Sequence, residues 1–396
     1  MPNVTSDTST LRRTVGVWAL AFYGISVIVG AGIYVAIGAV IERAGNAAPV
    51  SFLLAGIAAA LTGLCYAELA GRFPEAGGAA SYVRHGFGSD RMAQLVGAAV
   101  TASVAIAAAS IARGSAQYMA ALITLPEPVL ITVLILIFVL IAIAGVRESV
   151  ALAAITGAIE LLGLAAAVAV GLIAAPSWHP GALLPTAWAD WSGIFAGAFI
   201  AFFAFIGFET LANMAEEVRD PRRNVPRGII GAVAASILVY VAVAAAVVLS
   251  GRAADAPLLD VFRGRAATWF AVVGFMAVAN GVLVHIIMLS RLFYGMARNQ
   301  ELPACLATVH PRTQTPVVAT LLAGALVLGA ALLLPFEKLL LLTNALTLAV
   351  FALVDLALWR VKRCAGENAG GLCVPRWLPL VAAAVSLGLV VTEWIG

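Results

Sequence analysis

Residues 26–38, SVIVGAGIYVAIG, carry two glycines within three positions at the centre of a long apolar segment. A glycine inside a helix costs about 1 kcal/mol relative to alanine. Gly30 and Gly32 therefore indicate either that the helix is interrupted here or that it packs very closely against a neighbour. Small residues are common at close helix crossings in membranes, so the rest of the sequence has to decide between the two interpretations.

The composition of the chain identifies the environment of this segment. Of its 396 residues, 63% are hydrophobic and only 11% are charged. A soluble domain carries about 25% charged residues, so this chain lacks the polar side chains to cover a water-facing surface. We therefore predict an all-α protein that crosses a lipid bilayer many times. The cysteines lack the spacing of a disulfide framework or a metal site, and no metal or cofactor is predicted.

Apolar runs long enough to cross a membrane recur along the chain. A bilayer core of about 30 Å requires about 20 apolar residues in a helix. Eleven such runs are predicted, at residues 15–41, 48–71, 92–124, 129–145, 149–174, 191–214, 226–250, 267–291, 316–335, 338–359 and 377–395. Their order predicts a tail at 1–14, a ten-helix core at 15–360 and a peripheral eleventh helix at 377–395.

Basic residues predict how these helices are oriented. If the N-terminus is cytoplasmic, seventeen lysines and arginines fall on the cytoplasmic side and five fall outside, with Arg113 left inside a helix. Cytoplasmic loops of membrane proteins carry such an excess of basic residues. The bias predicts a cytoplasmic N-terminus and supports the number of helices, because one missed helix would scramble the alternation.

A second apolar segment shares the interruption of the first. The sixth predicted helix contains Gly207 near its middle and the carboxylate Glu209 two residues later. Helices 1 and 6 begin two halves of five helices, at 15–174 and 191–360, and an offset of five gives the halves opposite orientations. Interrupted helices at corresponding positions of inverted halves point to a transporter site in mid-membrane. The first break is therefore predicted to free backbone groups for a substrate.

Titratable side chains inside the predicted helices are candidates for coupling and gating. Glu160 lies in helix 5 without an adjacent basic residue. Burial disfavours a charged carboxyl group, so Glu160 is predicted to carry a proton, or alternatively to form a fixed ion pair with Arg113. Glu209 is expected to face a cavity or a partner, or to hold the broken helix through a structural hydrogen bond. His285 in helix 8 is either a packing residue or a proton relay.

Four motifs resemble those of one transporter superfamily. They are IVGAGIY at 28–34, AELAGRFPEAGGAASYV at 67–83, FFAFIGFETLANMAEEVRDPRRNVPRGI at 202–229 and SRLFYGMARNQELP at 290–303. In type and order they are similar to motifs of the amino acid–polyamine–organocation superfamily. The resemblance implies a five-plus-five inverted-repeat, leucine-transporter-like fold that moves amino acids or related amines by alternating access. Most members have twelve helices, whereas eleven are predicted here.

The resemblance also implies roles for residues at the two breaks. The family binds the substrate carboxylate with backbone amides of helix 1, which correspond here to those of Gly30, Ala31 and Gly32. The substrate ammonium is expected to meet carbonyls that the breaks leave unpaired, those of Ile28, Phe203 and Ile206. The ring of Phe203 corresponds to a gating tryptophan of the arginine–agmatine antiporters, which implies an aromatic lid.

Two carboxylates take implied roles from the same resemblance. Glu209 corresponds to a glutamate that those antiporters use in gating or in their response to protons. Glu160 occupies the position in helix 5 where sodium-independent members often carry a lysine. A protonatable carboxylate at this position could couple transport to protons or bind a cation, so the lysine-based mechanism cannot be carried over.

These observations together predict a secondary active transporter of amino acids or related amines in the cytoplasmic inner membrane, working by proton symport. The alternatives are an exchanger of the same family and a passive channel. An intramembrane enzyme is disfavoured, because the sequence has neither HExxH nor paired catalytic aspartates. Small apolar residues in helix 3 predict a neutral or modest-sized substrate side chain, whereas Arg113 would favour an acidic one. The predicted partners are the substrate, a coupling proton and lipid, without nucleic acid.

Overall fold

The computed structural model describes residues 15–74, 78–145, 150–175, 180–188, 190–215, 217–251, 257–365 and 371–395. The predicted N-terminal tail, residues 1–14, lies outside these ranges. Within them the secondary structure is helical, apart from one isolated bridge between Val15 and Val218. The bridge holds the start of the first helix against the chain that leaves the sixth, and the Arg219 amide donates to the Val15 carbonyl at 2.9 Å.

Fifteen α-helices form within the described residues. They are α1 (Val17–Val29), α2 (Ala31–Ala44), α3 (Ala48–Arg72), α4 (Gly78–Phe87), α5 (Asp90–Ala120), α6 (Glu127–Ala144), α7 (Val150–Ala174), α8 (Asp190–Ala201), α9 (Glu209–Asn213), α10 (Pro221–Leu249), α11 (Pro257–Asp260), α12 (Arg265–Arg298), α13 (Val317–Leu333), α14 (Phe336–Ala365) and α15 (Leu378–Ile395). All eleven predicted spans coincide with these helices. The first span consists of α1 and α2 and the sixth of α8 and α9, whereas α4 and α11 are short helices between spans.

Length and composition make this a membrane-spanning helical protein. Eight helical stretches within the described ranges are long and apolar enough to cross a bilayer, and three shorter apolar helices accompany them. Helices α12 and α14 extend beyond the predicted spans, to Arg298 and Ala365. The hydropathy pattern marks only the apolar part of a helix, and in both cases the helical backbone continues through basic residues past the end of that part.

Both predicted interruptions are confirmed. Helix α1 ends at Val29 and α2 begins at Ala31, with Gly30 between them at φ −46° and ψ −133°. In the sixth span, a 3-10 turn at residues 202–205 and a short non-helical stretch separate α8 from α9. A helix end leaves amide and carbonyl groups without partners in its own helix, so each break presents such groups inside the protein.

The two broken helices cross each other at their interruptions. A Cβ atom added to Gly32 would lie 2.6 Å from the Cα atom of Ala204. Gly207, at φ +128°, passes Val27 so closely that an added Cβ would lie 2.9 Å from the Cγ1 atom of Val27. Both interpretations of the opening stretch therefore apply, to different residues: Gly30 interrupts the helix and Gly32 permits the close crossing.

Helix α14 is bonded to its neighbours by buried polar side chains in its first third and in its last turn. Asn344 donates from Nδ2 to the Phe199 carbonyl near the end of α8 at 2.7 Å. Towards the other end, Lys362 donates from Nζ to both carboxylate oxygens of Glu68 in α3 at 2.9 Å. The same Nζ donates to the Val374 carbonyl at 2.5 Å. These bonds join α14 to α3, to α8 and to the segment that leads into α15.

The predicted peripheral helix, α15, packs against α14, α3 and α8. Its buried Ser386 places Oγ 3.5 Å from the hydroxyl oxygen of Thr62 in α3. Thr62 in turn donates to the carboxylate of Asp355 in α14 at 3.0 Å, and Asp355 is fully buried. The eleventh helix thus contributes a polar contact inside the bundle, and its role as a separate peripheral element stays a prediction.

Candidate functional site

A cavity of about 120 Å³ lies where the two broken helices cross. Glu160 of α7 and His285 of α12 line it, whereas Glu209 and Arg113 lie elsewhere. All six residues predicted to bind substrate also line it: Ile28, Gly30, Ala31, Gly32, Phe203 and Ile206. The structure therefore brings residues of helices 1, 5, 6 and 8 together at one place, and their functional roles stay predictions.

The amino end of α2 forms one wall of this cavity. Gly30 precedes the helix, and Ala31 and Gly32 belong to its first turn. No side chain caps this helix end in the described structure. The first amides of a helix have no intrahelical partner, and the helix dipole places partial positive charge at this end. An anion such as a carboxylate is therefore a complementary ligand for this wall.

The carbonyl groups at the breaks are less free than the sequence predicted. The hydroxyl of Tyr240 in α10 lies 2.6 Å from the Ile28 carbonyl and 2.8 Å from the Ala204 carbonyl. The Phe203 carbonyl accepts from the Ile206 amide at 3.3 Å. The prediction that the breaks leave the Ile28 and Phe203 carbonyls unpaired is therefore wrong. Tyr240 of α10 donates to the first carbonyl, and the Ile206 amide at the end of the 3-10 turn donates to the second. Each carbonyl keeps a second lone pair that can accept from an ammonium group.

Several polar residues at the site were not predicted, including Tyr23, Ser26 and Thr156 in the cavity lining. Tyr240 is fully buried beside the breaks, and Asn280 of α12 lines the cavity. A buried tyrosine hydroxyl usually finds a hydrogen-bond partner, so a tyrosine within the apolar run of helix 7 was a usable signal. An amide side chain within the apolar run of helix 8, five residues before His285, was a second one.

Glu160 lies directly beside the interruption of helix 1. The residue is 4% exposed, and its Oε2 atom lies 3.5 Å from the position of a Cβ added to Gly30. The alternative ion pair with Arg113 is not formed in the described structure. Instead the Arg113 guanidinium contacts the Glu127 carboxylate at 3.0 Å and the Leu334 carbonyl at 2.6 Å. A carboxyl group therefore lies next to the helix end that suits a substrate carboxylate.

Glu209 and His285 are each held by their own helix. The Gly207 amide donates to Oε2 of Glu209 at 2.9 Å, which is the structural hydrogen bond that the sequence offered as an alternative. A gating role for Glu209 stays a prediction. The Nδ1 atom of His285 lies 2.8 Å from the Gly281 carbonyl one turn earlier in α12. This bond fixes the imidazole ring in the wall of the cavity.

A cluster of aromatic rings packs around α2 beyond the residues that line the cavity. The ring centroid of Tyr34 in α2 lies 6.1 Å from that of Tyr118 and 6.2 Å from that of Phe270. Phe270 stacks on Phe262 with a centroid distance of 4.2 Å, and the Tyr34 hydroxyl donates to the Glu160 carbonyl at 2.9 Å. The cavity itself extends along α1 and the first half of α7. It therefore extends towards the membrane side on which α1 begins.

These features define a class of protein, a helical membrane protein in which two broken helices enclose a buried cavity, as they do in secondary transporters. A family model described as amino acid permease matches residues 15–394. The chain belongs to this amino acid permease family. The family is one of transport proteins and not of enzymes.

Several relatives resemble the chain over most of its length. It is 31% identical over 85% of its length to the cationic amino acid transporter 4, vacuolar, of Arabidopsis thaliana, and covers 61% of that protein. It is 30% identical over 96% of its length to the methylthioribose transporter of Bacillus subtilis (strain 168), and covers 88% of it. It is 28% identical over 89% of its length to the branched-chain amino acid permease BcaP of the same bacterium, and covers 82% of that protein. The chain thus spans less than two thirds of the plant transporter.

Proposed function

We propose that this protein transports amino acids across a membrane by alternating access. The observation that carries the proposal is the uncapped amino end of α2, which lies in a cavity formed by the crossing of two broken helices. A free helix end binds a carboxylate well, and every amino acid offers one. Membership of the amino acid permease family supports the same substrate class.

The proposed architecture consists of two inverted halves, residues 15–174 and 191–360. The first helix of each half is interrupted, and the two interruptions meet at one cavity. The aromatic cluster on one side and the extension of the cavity towards the other side support a conformation that faces the side on which α1 begins. The distribution of basic residues favours the cytoplasm as that side, with the protein inserted in the cytoplasmic membrane.

The coupling ion in this proposal is a proton carried by Glu160. A substrate carboxylate at the end of α2 would bring a second negative charge close to the Glu160 carboxyl group. Like charges repel strongly in a low-dielectric cavity, so bound substrate favours the protonated form of Glu160. By thermodynamic reciprocity, a protonated Glu160 strengthens substrate binding. Substrate and proton therefore load together, as symport requires.

The walls of the cavity support a neutral substrate side chain of modest size. Helix α5 contributes Ala107 and Ile111, and α12 contributes Ala277 and Val284. Asn280 supplies one amide among these apolar groups. Arg113, which would favour an acidic side chain, is paired with Glu127 outside the cavity. The position of Arg113 removes the main argument for an acidic substrate.

The test of this function is uptake into proteoliposomes that contain the purified full-length protein. A thermal-shift screen of the twenty amino acids first selects a ligand, which is then supplied in labelled form. We expect saturable uptake, acceleration by unlabelled substrate inside the vesicles, and stimulation by an inward proton gradient. Amides of the same amino acids should bind poorly, because they lack the carboxylate that α2 recognises.

Each rival function has its own outcome in the same experiment. An exchanger would take up label only when substrate is present inside the vesicles and would ignore the proton gradient. A passive channel would show neither saturation nor counterflow. Equal binding of amino acids and their amides would contradict the assignment of the α2 end as the carboxylate site.

The ring of Phe203 provides a prediction about occlusion. Phe203 is almost fully buried in the 3-10 turn and lines the cavity, so we propose that it closes over bound substrate. Because occlusion is a conformational step, Phe203→Ala is expected to reduce the transport rate by about tenfold while weakening equilibrium binding only a few-fold. Initial uptake rates and equilibrium substrate binding measure the two effects. Equal losses in both would make Phe203 an ordinary wall residue.

A further inference from the structure

A second cavity lies at the end of α14, away from the substrate cavity. Its volume is about 490 Å³. It is lined by Phe87, Leu356, Trp359, Arg360, Arg363 and Cys364. Both arginines are exposed, and each lies over an aromatic ring. The guanidinium of Arg360 is 4.8 Å from the ring centroid of Phe87, and that of Arg363 is 4.8 Å from the ring of Trp359.

Close packing of α4 on α14 forms this cavity. Gly86 lies so near to Ala357 that an added Cβ would be 2.5 Å from the Ala357 Cβ. The absence of a side chain at Gly86 therefore lets α4 lie directly on α14, and the next residue, Phe87, reaches Arg360. Helix α4 follows the end of α3, and α14 ends on the same side of the membrane. The cavity thus opens at the membrane surface on the side where α1 begins.

The positive charge of this cavity is not neutralised within the part of the chain that the structure describes, where neither Arg360 nor Arg363 contacts a carboxylate. The neighbouring charges are engaged elsewhere. Arg84 of α4 pairs with Asp90 at 2.9 Å, and Lys362, between the two arginines in sequence, points inward to Glu68. The complementary ligand is therefore an anion.

The apolar part of the wall indicates which anion fits. Leu356 lies one turn deeper than Arg360 along α14 and lines the same cavity. Trp359 lines the cavity as well, and tryptophan is enriched at membrane–water interfaces. Guanidinium groups bind phosphate through paired hydrogen bonds, and basic cavities between membrane helices bind anionic headgroups. A headgroup at the arginines would leave an acyl chain next to Leu356.

We propose that this cavity binds the phosphate of an anionic phospholipid headgroup, with an acyl chain lying along the apolar surface at Leu356. The site is independent of the proposed transport function, because it shares no residue with the substrate cavity. Bound lipid would bridge α4 and α14 and hold the two helices together at the membrane surface.

The experiment uses the full-length protein, purified in mild detergent and freed of lipid. Native mass spectrometry counts bound phosphatidylglycerol and phosphatidylcholine of identical acyl chains during titration. Two arginines near the membrane surface are expected to strengthen the binding of an anionic lipid by about tenfold or more. Phosphatidylglycerol should therefore bind before phosphatidylcholine and should raise the unfolding temperature of the protein. The double variant Arg360→Gln/Arg363→Gln is expected to lose this preference, while its unfolding temperature without lipid stays that of the unmodified protein.

The matched control removes the same charge elsewhere on the same membrane side. Arg291→Gln/Arg298→Gln changes two exposed arginines at the end of α12, one of which lies over Tyr294 at 5.9 Å. This control should keep the preference for phosphatidylglycerol. A preference that survives in the cavity variant, or falls equally in the control, overturns the proposal. If the glutamine variant does not fold, Arg360→Lys/Arg363→Lys replaces it and should show a partial loss.

A final arm separates a lipid from a soluble phosphate compound. Inorganic phosphate and glycerol phosphate are added at increasing concentration to the protein with phosphatidylglycerol bound. We expect millimolar amounts to leave the lipid in place, because they lack the acyl chain. Displacement at concentrations similar to that of the lipid would identify a site for soluble phosphate and overturn the assignment to a lipid.

Discussion

Proteoliposomes that contain Glu160→Gln are expected to exchange labelled substrate at close to the normal rate but to lose accumulation driven by an inward proton gradient. Glutamine resembles the protonated carboxyl group in size and neutrality, so it removes the repulsion of a substrate carboxylate at the end of α2. It cannot release a proton on the opposite side. Gradient-driven accumulation should therefore fall by about tenfold or more, with equilibrium binding preserved. Uptake with and without the gradient measures the difference.

Two further variants make this prediction specific to Glu160. Glu160→Asp keeps a titratable group beside Gly30 and should retain part of the coupling. Glu209→Gln alters a carboxylate that is bonded to the Gly207 amide and lies outside the cavity, so it should leave the gradient response in place. Undiminished accumulation by Glu160→Gln would refute the coupling role of Glu160. Loss of gradient-driven accumulation in Glu209→Gln would instead assign the coupling proton to Glu209.

Replacement of Gly32 by leucine is expected to eliminate substrate binding and transport. An added Cβ already falls 2.6 Å from the Cα atom of Ala204, so the larger side chain would push the two broken helices apart. Overpacking of this kind costs about 1–3 kcal/mol or more, and the separation would dismantle the cavity between the helices. Equilibrium binding of the ligand selected by the thermal-shift screen tests the prediction, with unfolding temperature recorded in parallel.

Two glycine variants separate loss of the site from loss of the fold. Gly329→Leu in α13 has nothing within 4 Å of the added Cβ, so it should bind and transport normally. Gly30→Ala places a methyl group 3.5 Å from Oε2 of Glu160 and 3.3 Å from the Ser26 carbonyl. This small group requires a shift of a few tenths of an ångström at the Ser26 carbonyl and enters the proposed carboxylate site. Gly30→Ala should therefore weaken substrate binding while the protein stays folded. Normal substrate affinity in this variant would contradict the assignment of the carboxylate site.

The helices and their breaks could be predicted from the sequence, because local features of the sequence determine them. Apolar runs have to match the thickness of a bilayer, and the glycines of residues 26–38 and Gly207 mark positions where a helix is costly to continue. The convergence of both breaks on one cavity was expected from the predicted alternation of helices across the membrane, which would give the two proposed halves opposite orientations.

The side-chain partners around the site could not be obtained in this way, because they depend on contacts between distant parts of the chain. Arg113 was a reasonable partner for Glu160 as the one basic residue left inside a helix. Its actual partner, Glu127, lies near the start of α6, and only the path of the loop after α5 brings the two together. Tyr240 likewise meets Ile28 across more than two hundred residues.

The bonds of Asn344 and Lys362 in α14 restrict how the protein can change its shape. Pulling Lys362 away from Glu68 would leave its buried ammonium group without a carboxylate partner, at a cost of about 3–5 kcal/mol, whereas Glu68 would keep its ion pair with Arg72 at 2.7 Å. Conformations that exchange during function differ by only a few kcal/mol. We therefore expect α14 to move together with α3 and α8 during transport, rather than to swing as an independent element.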